Sequence, residues 1–99
     1  KIIVGRNQAE NNFLTSHKAK GDYRFELPDI VGPTTLLQGP KTKAVIQTAA
    51  NLTAFYSDAK TSSVTVKYGQ EALNKTIIAN KPERADVDKL RVGAETKAT

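Results

Sequence analysis

The chain begins with a short apolar run, Ile2-Ile3-Val4, which stops abruptly at Gly5-Arg6-Asn7 and is followed at once by a helix-forming segment. β-branched residues favour an extended strand, and glycine permits the sharp exit that this change of direction requires. Asn7 is a favourable N-cap, and Glu10 stands three residues further on, where the acid of a capping box belongs. The sequence therefore predicts a strand-to-helix junction that places an arginine beside a helix amino terminus.

Such a junction is suited to an anion such as phosphate. Backbone N–H groups point out of the first turn of a helix, and a guanidinium group matches the geometry of phosphate oxygens. The same pattern is also typical of a plain strand-to-helix turn with a solvated arginine, because many such turns bind nothing. The local sequence leaves both interpretations open.

The size and composition of the chain indicate one small soluble domain. Of its 99 residues, 38% are hydrophobic and 25% are charged, which fits a globular protein rather than a disordered one. The absence of cysteine excludes a disulfide framework and a thiolate zinc site within these residues. The net charge of +5 suits a polyanionic partner, although a basic surface without any partner gives the same value.

The ends of the chain give expectations about its setting. No apolar stretch approaches the ~20 residues of a membrane span, and no signal-peptide pattern is present, so a cytoplasmic protein without membrane contact is expected. The first residue is lysine rather than methionine, which indicates a piece of a longer protein with a covalently linked neighbouring domain. The oligomeric state is left open.

The hydrophobic periodicity predicts a small α+β domain. Helices are expected over about 8–18 and 42–59, the second capped by Thr42, and strands over 2–4, 22–27, 34–38, 63–68 and 76–79. A short helix over 83–89 and a last strand over 90–92 would complete a domain spanning 1–92, followed by a flexible tail over 93–99. The order β-α-β-β-α-β-β predicts a mixed or antiparallel sheet of four to six strands. Its two main helices are expected on one face, with the other face open to water or to a partner.

Residues that would carry catalysis are sparse. His17 is the only histidine, no metal-ligand spacing is visible, and the glycines form no phosphate-binding loop. Asp22 and Glu26 flank Arg24, which is typical of a solvated row of charges rather than of paired catalytic acids. We therefore predict a non-enzymatic domain without a cofactor or a metal. Tyr68 is the aromatic best placed to stack on a base, with simple packing as its alternative role.

Several separate blocks of the sequence stand in a distinctive order and spacing between Ile2 and Tyr68. They are Gly5-Arg6-Asn7, Glu10-Asn11 with Leu14, Gly21-Asp22, Pro28-Asp29, Gly32-Pro33-Thr34, Ala49-Ala50 and Tyr56-Ser57. Together they resemble the carboxy-terminal RNA-binding domain of the NFACT proteins, which include ribosome quality-control factors and fibronectin-binding proteins. The Gly-Pro-Thr segment is most similar to the bacterial variant appended to tRNA-thiolation enzymes. The main branch usually carries histidine where this chain has Glu26 and at Thr34 or Thr35.

This resemblance implies binding of tRNA or another structured RNA, without catalysis by the domain itself. Its motifs place Arg6, Asn7 and Asn11 at the RNA, with Arg6 clamping a phosphate and Asn7 chiefly capping the helix. Asp22 is expected to orient Arg6 or to cap a turn, and Gly5, Gly32 and Pro33 to shape the backbone. Charge alone adds further candidate RNA contacts, namely Lys18, Lys20, Arg24, Lys41 and Lys43.

Two other functions are weighed against RNA binding. A protein-interaction domain would use the open sheet face to dock on its own enzyme through apolar contacts. An independent enzyme is the weakest interpretation. If the parent is an ATP-dependent tRNA-thiolation enzyme, its nucleotide chemistry and its sulfur-handling cysteines must lie outside these residues.

Overall fold

The computed structural model describes residues 1–5 and 7–88. Arg6 therefore lies outside the described residues, as do the predicted last strand at 90–92, the domain boundary at 92 and the predicted tail at 93–99. The described chain forms seven elements in the predicted order. These are β1 Ile2–Val4, α1 Gln8–Ser16, β2 Tyr23–Glu26, β3 Thr35–Leu37, α2 Lys43–Phe55, β4 Ser63–Gly69 and β5 Lys75–Asn80. Residues 84–88 are also helical.

Both predicted helix caps are confirmed. The side chain of Asn7 accepts a hydrogen bond from the backbone N–H of Glu10 at 2.9 Å, and that of Thr42 accepts one from Val45 at 3.2 Å. Each bond satisfies a backbone donor that has no partner inside its helix. Both helices end earlier than the periodicity predicts. At the end of α2, Ser57 donates its hydroxyl to the carbonyl of Ala54 at 2.6 Å, which closes the last turn.

The five strands form one antiparallel sheet in the order β1-β3-β2-β4-β5. The α+β class and the number of strands are confirmed. Two crossovers build this order: α1 connects β1 to β2 across β3, and α2 connects β3 to β4 across β2. Strands that are distant in sequence therefore become neighbours, and this brings the loops at each end of the sheet together.

One face of the sheet packs against α2 and forms the main core. Its strand residues alternate inward and meet the small side chains of the helix, which allow close approach of helix and sheet. The buried cluster consists of Phe25, Leu37, Val64, Val66 and Ala79 on the strands, Ala49, Ala50 and Ala54 on α2, and Ala59. At its margin the buried hydroxyl of Thr53 bonds to that of Thr35 at 2.8 Å.

The first helix lies against the opposite face, so the expectation that both main helices share one face needs correction. Its one buried residue, Leu14, lies outside the α2 cluster, as does the buried Leu36, whose side chain alternates to the other side of β3. A groove beside α1 is lined by Glu26, which points away from Phe25. The physical reason is topological: β1 and β3 run in opposite directions while both crossovers move the same way along the sheet. Right-handed connections then place the two helices on opposite faces.

The β4–β5 half of this second face remains open. Its side chains are exposed and mostly polar, namely Ser63, Thr65, Lys67, Thr76, Ile78 and Asn80. The outer edge of β5 is covered by two amides of α2. Gln47 donates to the carbonyl of Ile78 at 3.0 Å, and Asn51 accepts from the backbone N–H of Asn80 at 3.0 Å. The edge of β5 is therefore not free to pair with another strand at these groups.

Candidate functional site

The junction between β1 and α1 is locked onto the loop that precedes β3. The backbone N–H of Gly5 donates to the carbonyl of Thr34 at 2.9 Å, and the N–H of Thr34 donates to Oδ1 of Asn11 at 3.0 Å. A Cβ atom at position 5 would lie 2.2 Å from the same Oδ1, so a larger residue there would push the Asn11 side chain away from its bond to Thr34. The side-chain oxygen of Asn11 therefore holds the motif together from within the fold.

The Gly32-Pro33 segment is equally confined. A Cβ atom on Gly32 would lie 2.5 Å from Cδ1 of Leu27 and 2.9 Å from Cβ of Ser57. Pro33 is buried, and the carbonyl of Val31 accepts a hydrogen bond from the N–H of Asp58 at 2.8 Å. These contacts anchor the loop between β2 and the end of α2, and they fix its shape.

A polar groove of about 230 Å³ lies between α1 and this loop. Glu26 forms one wall, where its carboxylate accepts from the hydroxyl of Thr34 at 3.4 Å and lies 3.5 Å from Nε of Arg24. The remaining walls are Gln8, Asn11, Asn12, Thr15, Leu27, Gly32 and Pro33.

The amino terminus of α1 faces solvent. Asn7, Gln8 and Ala9 are all exposed, so the first turn of the helix is accessible to a ligand. Asp22 lies at the opposite end of the sheet from this junction, where its Oδ2 accepts from the N–H of Ala19 at 3.0 Å and closes the turn before β2.

The predicted lysines lie at the other end of the sheet from this junction. Lys18 and Lys20 follow the end of α1, while Lys41 and Lys43 lie at the start of α2. Lys75 begins β5 at the same end, since it pairs with Tyr68 while Gly69 pairs with Arg24 near the start of β2. We call Lys18, Lys20, Lys41, Lys43 and Lys75 the basic end. The nine residues of α1, about 13 Å long, separate it from Asn7.

Two tyrosines extend the core toward the basic end. The ring of Tyr68 stacks on Phe25 with centroids 5.1 Å apart, and it contacts Tyr23 at 5.6 Å. Tyr68, the predicted base-stacking residue, is thus half-buried in an aromatic cluster. Tyr23 lies further out, with Nζ of Lys41 5.4 Å from its ring centroid.

A second groove, of about 380 Å³, begins at this outer tyrosine. It is lined by Tyr23, Gln70, Glu71, Ala72, Asn74 and Lys75. Sequence reasoning missed the groove, because Tyr23 reads as a core residue of an alternating strand and Lys75 stands alone between polar residues. Tyr23 and Lys75 come together because β2, β4 and β5 are neighbours in the sheet, and the sequence does not show this strand order directly.

Carboxylates predominate at the end of the sheet opposite the basic end. The loop carrying Asp29 is joined to the end of α2 by the bond between Asp58 and Val31, and the guanidinium of Arg84 lies 5.0 Å from the ring of Phe55. Asp29, Asp58, Glu83, Asp86 and Asp88 are all exposed. Lys60, Lys81 and Arg84 lie at the same end, so the charge of the domain is unevenly distributed along the direction of α1 rather than fully separated.

Within residues 1–5 and 7–88, no group of three or more histidines, cysteines, aspartates and glutamates is arranged to hold a metal ion. Over the same residues, no helix has the length and apolar character that crossing a bilayer demands.

Comparison with known proteins places this arrangement in a family. Residues 1–89 match the family described as the NFACT protein RNA binding domain. The structure is similar to the C-terminal part of the fibronectin/fibrinogen-binding protein from Streptococcus suis, with a TM-score of 0.77 and 23% sequence identity. That similarity covers 89% of this chain but 43% of the other, so this chain spans less than half the length of the chain it resembles. At 23% identity, the similarity shows a shared fold. No curated protein matches the chain. The chain belongs to the NFACT RNA-binding domain family and is an RNA-binding accessory domain.

Proposed function

We propose that this domain binds tRNA, or a structured RNA of similar shape, without catalysing a reaction. The observation that carries the proposal is the family match over residues 1–89. The exposed first turn of α1 supports it, because this turn follows the Gly5-Arg6-Asn7 motif and can receive a phosphate. In this proposal Arg6 clamps the phosphate and Asn7 holds the helix end in shape.

The parent protein is proposed to be a tRNA-modifying enzyme of the thiolation type or a ribosome-associated factor, acting in the cytoplasm. The domain would deliver RNA to a covalently linked neighbour that carries the chemistry. Sequencing the full-length gene product and looking for a nucleotide-binding domain beside this one would test the setting. A parent without any RNA-directed domain would contradict it.

Docking on a protein is the less favoured alternative. It requires an apolar open face, whereas the exposed half of the sheet presents Thr65, Lys67 and Thr76 around the single apolar side chain of Ile78. Such a surface is too polar to form the core of a stable interface.

The direct test is a titration of the isolated domain with unfractionated tRNA, followed by fluorescence anisotropy. We expect the affinity to fall about tenfold or more between roughly 50 and 200 mM salt, because phosphate contacts release counterions. Arg6→Ala should weaken binding, while Arg84→Ala is the matched control, since Arg84 is an exposed arginine outside the Gly5-Arg6-Asn7 motif. Circular dichroism verifies that both variants are folded. A wild-type domain that fails to bind tRNA at low salt would contradict the proposed function.

A further inference from the structure

We infer that the groove beside Tyr23 is a binding site for an unpaired nucleotide of the RNA, whose flanking phosphates lie on the basic end. This inference rests on the proposed function and adds a second RNA contact, at the end of the sheet opposite the Gly5-Arg6-Asn7 motif.

The residues that line the groove are of the types found in nucleotide-binding sites. A nucleotide-binding site needs an aromatic face for stacking and polar groups for the base edge. The groove is lined by one aromatic residue, Tyr23, and by two residues with side-chain amides, Gln70 and Asn74. The Tyr23 ring also contacts Tyr68 and Lys41, but Tyr68 is less suited to stacking on a base, since its ring stacks on Phe25 and it does not line the groove.

One wall of the groove is held in a fixed shape. Gly69 is buried, and a Cβ atom there would lie 1.9 Å from the carbonyl oxygen of Ala72. The 70–74 turn is therefore folded tightly back over Gly69, which fixes the wall that carries the amides. A preformed site of this kind binds with a smaller loss of conformational entropy.

Lysines surround the groove. Lys41 lies against the ring of Tyr23, Lys75 lines the groove itself, and Lys43 is exposed at the start of α2. Lys18 and Lys20 extend the positive surface beyond the turn closed by Asp22. Of the described acids, Glu71 lines the groove and the buried Asp22 lies in the turn before β2. Glu10 lies in the first turn of α1, Glu26 lines the first groove, and Asp29, Asp58, Glu83, Asp86 and Asp88 lie at the far end. The lysines therefore favour a backbone that enters and leaves the groove on either side.

The electrostatic test compares two double variants of equal net charge. Lys43→Glu/Lys75→Glu reverses two lysines of the basic end, and Lys60→Glu/Arg84→Glu reverses two exposed cations at the opposite end of the sheet. With unfractionated tRNA we expect the first variant to lose about tenfold or more in affinity and its slope against log salt to shrink by about 1.5 to 2. The control should change little. Equal losses in both variants would overturn the inference, provided that the wild type binds tRNA.

The stacking test uses the ring itself. Tyr23→Phe retains the aromatic face and should bind a single-stranded RNA oligonucleotide like the wild type, whereas Tyr23→Leu should bind it about tenfold more weakly. A blunt RNA duplex without unpaired nucleotides should bind both variants alike. Thermal unfolding verifies the fold of each variant. Equal binding of the oligonucleotide by Tyr23→Leu and Tyr23→Phe would overturn the inference. Displacement of the bound RNA by poly-glutamate as effectively as by unlabelled RNA would overturn it as well. Failure of the wild type to bind any RNA would instead contradict the proposed function.

Discussion

Oδ1 of Asn11 lies 2.2 Å from the point where a Cβ atom of Gly5 would stand, and it accepts the backbone N–H of Thr34 at 3.0 Å. Two residues of the family motif are thus in mutual contact inside the fold. Experiments can therefore distinguish residues such as Gly5 and Asn11, which shape the site, from residues that contact RNA.

Gly5→Ala should destabilise the domain by about 1–3 kcal/mol, because the added methyl group overpacks a buried contact. Asn11→Ala should cost about 1 kcal/mol through the loss of its bond to Thr34. The double variant should lose less than the sum, since shortening Asn11 makes room for the methyl group. Urea unfolding of the four proteins measures this coupling, with exposed Asn12→Ala as the control. Strictly additive losses of stability would show that the added methyl group and the Asn11 side chain do not meet.

Asn7 allows capping to be distinguished from RNA contact. Asn7→Ser and Asn7→Asp both retain a capping oxygen, whereas Asn7→Ala should lower the free energy of unfolding by about 1 kcal/mol. If the amino terminus of α1 receives a phosphate, the carboxylate of Asn7→Asp should repel it and weaken tRNA binding while stability is kept. Affinity and stability are measured for the three variants together. Unchanged tRNA affinity of Asn7→Asp would argue against a phosphate at this helix end.

The buried hydroxyl pair makes an asymmetric prediction. Thr53 bonds to the carbonyl of Ala49 at 2.7 Å and to the hydroxyl of Thr35 at 2.8 Å, so it is the shared partner. Thr53→Val leaves the hydroxyl of Thr35 buried without that partner and should cost about 1–3 kcal/mol. Thr35→Val should cost less, because the bond to Ala49 survives.

The Thr35→Val/Thr53→Val double variant completes this test. Its stability should recover part of the loss seen in Thr53→Val, because no unpaired hydroxyl then remains. Chemical denaturation of all four proteins provides the measurement. A double variant less stable than either single variant would contradict the assignment.

Asn51→Ala should uncover the outer edge of the sheet. Water replaces the lost partner of the Asn80 N–H, so the stability loss should be modest, at about 0.5–1 kcal/mol. The uncovered edge should nevertheless exchange its Asn80 amide proton faster and pair more readily with other chains. Hydrogen exchange and light scattering test this, with Thr48→Ala on the same helix as control. Equal exchange rates in the two variants would exclude a protective role for Asn51.

Local features of the sequence predicted much of the fold. The caps at Asn7 and Thr42 depend on side chains bonding within one turn, and the strands depend on alternation over a few residues, so neighbouring residues contain the information. The face occupied by α1 depends instead on the order and direction of strands that are remote in sequence.

The same limit applies to the candidate site. Lys18, Lys20, Lys41 and Lys43 were predictable as basic residues, but their separation from Asn7 follows from which ends of the two helices lie together. Lys75 and Tyr23 meet only through the pairing of β2, β4 and β5. Charge and periodicity could name candidate residues, whereas the sheet order decides which of them act together.

The excess of lysines at one end and of carboxylates at the other gives the domain an electric dipole. Its principal extents are 32, 30 and 28 Å, several times the screening length of about 8 Å at physiological ionic strength. The negative pole is therefore largely invisible to a polyanion already near the positive pole. An incoming RNA would be turned into a preferred orientation during its last nanometre of approach, before any specific contact forms.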